Sequence, residues 1–142
     1  MTRPEPGEGA VSAEVRVSDR SSKLAVLGRM LDAFNRHDLD AIMSLFVDDC
    51  VFESPRGPDP WGRRFEGKPA VAEGLAARFT GIPDVTYESH GDFVAGERGA
   101  SEWTLRGTTV DGSSLEVRGC DLWTFRGDEI VRKDSYWKIV ER

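Results

Sequence analysis

The sequence predicts an α+β fold: a cone-shaped half-barrel in which three N-terminal helices pack on a curved, mostly antiparallel sheet. Three observations predict it. Apolar residues recur at helical spacing up to Gly81, the period shortens to two from Val85 onward, and glycines at 112 and 127 interrupt that second half where hairpin turns belong. A chain of 142 residues suits one domain, and a domain of this size buries roughly two-thirds of the surface it exposes when unfolded.

Residues 1–20 contain no apolar run and read as a disordered tail, so the single domain is expected over 21–142. Leu24, Leu27, Leu31 and Phe34 give an amphipathic first helix ending near His37. Asp38 can cap a short second helix carrying Leu39, Ile42, Met43, Leu45 and Phe46, and the NRHDLD joint makes the pair an αα-hairpin. Cys50 to Ser54 is β-branched and aromatic enough for a first strand, followed by the proline- and glycine-rich loop PRGPDPWGRR. Pro69 sits at a first-turn position where its missing N–H is harmless, and Val71, Leu75 and Phe79 supply the stripe of a third helix.

The remaining strands are expected from Val85 with an interruption near Gly91, then over Ala100 to Thr109, Leu115 to Phe125 and Ile130 to Val140. A three-residue turn Val110, Asp111, Gly112, with Gly112 left-handed, pairs Thr109 with Ser113 and puts Trp103 and Leu105 on the face of Asp121. For the last hairpin, a three-residue loop Arg126, Gly127, Asp128 groups the hydrophobics best. It places Val131, Lys133, Ser135, Trp137 and Ile139 on the apolar side, with Lys133 opposite Asp121. A two-residue loop would instead bring Asp134 across from Asp121 and bury Arg132 and Tyr136.

Asp121 is the most informative residue, because strand alternation sets it among Leu115, Val117, Trp123 and Phe125 on the core face. An unpaired carboxylate there costs several kcal/mol, so it must be hydrogen-bonded, paired with a cation or protonated. Lys133 is the expected partner. Tyr87, Trp103 and Trp123 are expected to wall a pocket, since in a cone the core and the pocket wall are one surface. His90 can act as a base only if a bulge beside Gly91 turns it inward, and Glu53 only if a kink before Pro55 re-aims it. Trp61 in the long loop is a candidate lid, whereas His37 reads as a solvated turn residue.

The segments NRHDLDAIMSLFVDDCVFESP, GKPAV and CDLWTFRGDEIVRKDSYW, spanning Lys23 to Val140, together resemble the nuclear transport factor 2 superfamily. Within it the chain is similar to SnoaL-like polyketide cyclases and ketosteroid isomerases. The resemblance implies that Asp121 stands where ketosteroid isomerases keep a protonated, hydrogen-bond-donating aspartic acid, and that Trp137 stands at an aromatic pocket position. It also implies that Ser54 occupies the place of their general base and Met30 that of their oxyanion tyrosine, so steroid isomerisation itself is not expected. The even face of the last strands, with Leu122, Thr124, Ile130, Tyr136 and Val140, is apolar enough to suggest the sheet-to-sheet homodimer common in the superfamily.

Composition and motifs narrow the function. Twenty-five acids against 19 bases leave a net charge of −6, which argues against a nucleic-acid partner. No signal peptide or membrane span is evident, and two distant cysteines, Cys50 and Cys120, suit a reduced cytoplasmic protein. Phosphate loops, metal-ligand spacings and nucleophile elbows are missing, so neither metal nor cofactor is expected. What remains is a pocket for a small hydrophobic carbonyl compound, with proton-transfer chemistry of the isomerase, cyclase or dehydratase type. In that scheme a neutral Asp121 stabilises an enolate oxygen while Glu53 or His90 moves the proton. The competing expectation is a non-catalytic ligand-binding or dimerisation module.

Overall fold

A computed structural model describes residues 6–141, with side chains from Asp19 to Glu141. Three helices, α1 (Pro6–Asn35), α2 (Leu39–Met43) and α3 (Lys68–Gly81), lie against six strands: β1 (Phe46–Glu53), β2 (Arg64–Glu66), β3 (Thr86–Ala95), β4 (Arg98–Thr108), β5 (Ser114–Arg126) and β6 (Glu129–Trp137). The sheet order is β2-β1-β6-β5-β4-β3. Every neighbouring pair is antiparallel except β1 and β6. The expected architecture of helices on a curved, mostly antiparallel sheet is therefore the observed one.

Local chemistry sets the helix ends. Asp38 accepts a hydrogen bond from the Ala41 N–H at 3.0 Å and starts α2, and Pro69 occupies the first turn of α3. The backbone of α1 begins at Pro6 rather than near Ser21. Residues 6–20, expected as a tail, continue the helix, because after Pro6 nothing in that stretch forbids helical dihedrals. Residues 1–5, the rest of the expected tail, lie outside the described residues. The buried stripe of α1 is Lys23, Val26, Leu27, Met30, Ala33 and Phe34, while Leu24 and Leu31 are only half-buried.

Strand β1 starts at Phe46, earlier than expected, and β2 was not anticipated: three residues are too few for alternation to stand out. The loop between them closes on itself at Gly62, which has φ 80° and passes so close to the Ser54 carbonyl that a Cβ would lie 1.8 Å from its oxygen. The β4–β5 hairpin has the expected register, with Thr108 opposite Ser114, the Thr109 N–H donating to the Ser113 carbonyl and Gly112 at φ 88°.

The β5–β6 hairpin departs from expectation. Arg126 pairs with Glu129 across a two-residue turn whose first residue, Gly127, has φ 62°. A bulge then follows: Phe125 pairs with Ile130, but Thr124 with Arg132. Val131 is the extra residue, and it restores the alternation the short turn would have reversed. Lys133 thus stays on the face of Asp121, but it faces Trp123, two pairs along, and Asp121 faces Ser135. Ile130 turns into the core at 0% exposure instead of joining the outer face, and Ile139 lies beyond the strand at 90%.

One core cluster joins α1, α2 and α3 to the concave sheet face through Leu27, Phe34, Ile42, Phe46, Phe52, Leu75, Trp123 and Phe125. A smaller one gathers Ile82, Val85, Trp103, Leu105 and Val117. Each such side chain contributes about 1.5–3 kcal/mol of burial.

Candidate active site

Between α1 and the concave face of β3, β4, β5 and β6 lies a narrow cavity of about 410 Å³ including its open mouth. Leu27, Met30, Leu31 and Phe34 form the helix wall, and Tyr87, Trp103 and Trp123 form the aromatic sheet wall. Asp121 and Lys133 form the polar floor, and both are 6% exposed.

The floor is a closed hydrogen-bonded set. The Lys133 ammonium donates to Asp121 Oδ1 at 2.7 Å and to Ser135 Oγ at 2.7 Å, and the Ser135 hydroxyl donates to the same Oδ1 at 2.5 Å. Trp103 Nε1 donates to Asp121 Oδ2 at 2.9 Å. A carboxylate offers about four acceptor positions, so one on Oδ2 remains open. The Lys133 ammonium has three N–H groups and uses two of them on these partners. It also sits over the rings of Phe34, Phe52 and Trp123, 5.4, 5.2 and 5.5 Å from their centroids. Burial pulls its pKa below the ordinary lysine value, against the pull of Asp121.

Tyr87 stands edge-on to Trp103 and to Phe34, at centroid distances of 5.2 and 5.7 Å. Burial pushes its phenol pKa up to about 12, the nearby Asp121 charge adds to that, and Arg78 opposes it. Arg78, on α3, also lies 4.4 Å over the ring of Trp137. Trp137 in turn meets Trp103 edge-on at 6.3 Å, so it supports the pocket wall from behind.

Two expected proton-moving groups stand elsewhere. Strand alternation holds without a kink through Phe52 and Glu53, which pair with Lys133 and Asp134, so Glu53 faces the outer side of the sheet. There it is 1% exposed between Arg64 and Arg132, both of which donate to it. Burial alone would raise its pKa; the two guanidiniums outweigh that and hold it below the usual carboxylate range. The β-bulge beside Gly91 exists, but it turns His90 outward, where Nε2 lies 2.7 Å from Thr104 Oγ1. Ser54 serves its loop, donating to the Arg56 carbonyl and accepting from the Arg63 N–H. Trp61 is not a lid: it is 42% exposed and stacks under Arg64 at 4.5 Å, on the outer side with Glu53. Met30 does line the cavity.

Sequence reasoning missed Ser135 and Arg78 as site residues. Ser135 was visible as a hydroxyl on the Lys133 face, whereas Arg78 carried no signal, since a helical arginine ordinarily points to water. Among the described residues no cluster of His, Cys, Asp and Glu is placed to hold a metal ion, and no helix is long and apolar enough to cross a membrane.

Three helices on a bent, mostly antiparallel sheet, with the cavity between them, place the chain in the nuclear transport factor 2-like fold class. Residues 27–133 match the SnoaL-like domain family, and the chain belongs to it. A nuclear transport factor 2-like protein of unknown function from Mesorhizobium loti is 29% identical, superposes with a TM-score of 0.71, and the match covers 84% of this chain and 93% of that one. A candidate polyketide cyclase from Xanthomonas campestris is 20% identical with a TM-score of 0.75 over 84% and 93%. A hypothetical protein with a ketosteroid isomerase-like fold from Catenulispora acidiphila, solved in complex with trimethylamine, is 18% identical with a TM-score of 0.71 over 80% and 85%. Comparison with curated proteins finds no match.

Proposed function

We propose that the cavity binds a small hydrophobic carbonyl compound and that the Asp121–Lys133 pair moves a proton next to the carbonyl without a cofactor. The observation that carries this reading is the buried charged pair at the floor of a mainly apolar cavity, whose lining also includes Ser89, Asp92, Ser101 and Glu102. Burying two charges costs several kcal/mol per ion before their attraction repays it, and an apolar pair of similar size would stabilise the fold at least as well. The free N–H of Lys133 is available to a carbonyl oxygen, and the charge that grows there as an α-proton leaves is stabilised by the ammonium. The open Oδ2 position of Asp121 accepts that proton. This replaces the expected roles: Lys133, not a neutral Asp121, steadies the oxygen, and Asp121, not Glu53 or His90, moves the proton. The Xanthomonas relative's description as a candidate polyketide cyclase is in keeping with such chemistry.

The test is exchange of α-hydrogen for deuterium, followed by nuclear magnetic resonance in heavy water, for those aryl ketones and quinones that raise the melting temperature. Wild-type protein accelerates the exchange, and Asp121→Asn slows it by about 10²–10⁴-fold. Binding without acceleration would leave the second reading, a ligand-binding module, which is favoured by the three donors already engaged on Asp121.

The outer sheet face, with Leu122 and Thr124 half-buried and Tyr136 54% exposed, supports a homodimer. Sedimentation velocity checks this, with Tyr136→Arg shifting a dimer to monomer. The free thiols of Cys50 and Cys120 support residence in a reducing compartment such as the cytoplasm.

A further inference from the structure

We propose that Lys133 is a carbonyl-capturing nucleophile: its Nζ, held against Asp121 and Ser135 inside the aromatic cavity, condenses with an aldehyde or ketone to form an iminium. The inference rests on the pocket reading above and specifies a covalent route for it.

Three geometric facts support it. First, Nζ, Asp121 Oδ1 and Ser135 Oγ form a triangle with sides of 2.7, 2.7 and 2.5 Å, so a proton acceptor and a hydroxyl relay both touch the nitrogen. Second, the nitrogen borders the cavity in which Phe34 and Trp123 form part of the wall, so an apolar carbonyl compound that enters meets the amine without bulk water. Third, the three rings and the carboxylate that hold an ammonium also suit an iminium, because the product keeps one positive charge on the same nitrogen.

The steps balance. The Lys133 ammonium passes a proton to Asp121 Oδ1, freeing the nitrogen lone pair. Nζ bonds to the carbonyl carbon as the C=O π bond opens, and a proton moves from nitrogen to that oxygen, giving a carbinolamine. Asp121 then returns its proton to the hydroxyl, which leaves as water while the nitrogen lone pair closes C=N. The result is an iminium beside the Asp121 carboxylate plus one water, with no oxidation and no co-reactant. Burial favours the first step, since it lowers the cost of the neutral amine.

The experiment is reductive trapping at neutral pH of the intact wild-type protein with benzaldehyde and cyanoborohydride, followed by peptide mapping. The chain has lysines at 23, 68, 133 and 138. Lys138 is exposed, and Lys23 is buried outside the cavity beside Asp128. Because the cavity holds the aldehyde against Nζ with Asp121 at hand to take the proton, benzylation of Lys133 is expected on the order of tenfold faster than that of the exposed Lys138. A cavity ligand found by thermal shift should suppress it. The double variant Asp121→Asn/Lys133→Met, which leaves no lone buried charge, should lose the fast label and keep the slow ones. Labelling spread over Lys23, Lys68 and Lys138, with Lys133 unmodified, would overturn the inference. If α-hydrogen exchange persists in that case, the general-base reading stands alone; if exchange is missing too, both fail.

Discussion

Two carbon chains reach each other across one strand pair at the floor of the cavity, and the stability of each ionised end depends on the other. Lys133→Met leaves Asp121 buried without its cation, and such a break costs about 3–5 kcal/mol. Asp121→Asn/Lys133→Met is expected to cost clearly less than the two single changes added, because it removes both charges together. Urea denaturation of the four proteins in this cycle measures the coupling. Tyr87 gives a second test at this scale. Its folded pKa is about 12 against an ordinary 10.0, so above pH 10 the unfolded chain loses a proton that the folded one keeps, and stability falls between pH 10 and about 12. Below 10 the two states hold the proton equally and the full contribution is present. Tyr87→Phe should flatten that alkaline fall while changing stability little at neutral pH; an unchanged slope in alkaline urea titrations would show that Tyr87 ionises freely.

Among the elements, the β5–β6 hairpin decides whether the site exists. A two-residue turn without correction would put Asp134, not Lys133, on the cavity side, and the bulge at Val131 prevents this. Because Val131 is the surplus residue, deleting it would leave Thr124 opposite Arg132 and Lys133 on the cavity side, so the cooperative melting seen by circular dichroism is expected to persist; its loss would show that the bulge itself is needed. The contrast with β4–β5 explains what could be read from the sequence. There the glycine at 112 marks the left-handed turn position, and the register follows from it. Val131 looks like any strand valine, so nothing local announces an extra residue. The facing of Asp121 was legible because period two survives small errors of register, and Lys133 came to the correct side although its opposite number was wrong. Glu53 and His90 were not resolvable in this way. Whether a strand end kinks, and to which side a bulge throws its histidine, depends on partners such as Arg64, Arg132 and Thr104 that only the folded sheet assembles.

At the level of the whole molecule, the sheet is assembled out of sequence order. Its interior strand β6 is the last to be written in the chain, and it joins β1 in parallel, with Phe46 paired to Ile130. Contacts that span so much chain form slowly, because the loop entropy is lost before the pairing repays it. A chain shortened to end at Gly127 is expected to show no cooperative thermal transition, although every helix is retained. The same wiring governs biosynthesis: while the ribosome still holds residue 137, the greasy faces of α1 and β1 have no central strand to close on. A growing polypeptide of this design therefore stays an unsealed shell until β6 has been made, and ligand capture can begin only then.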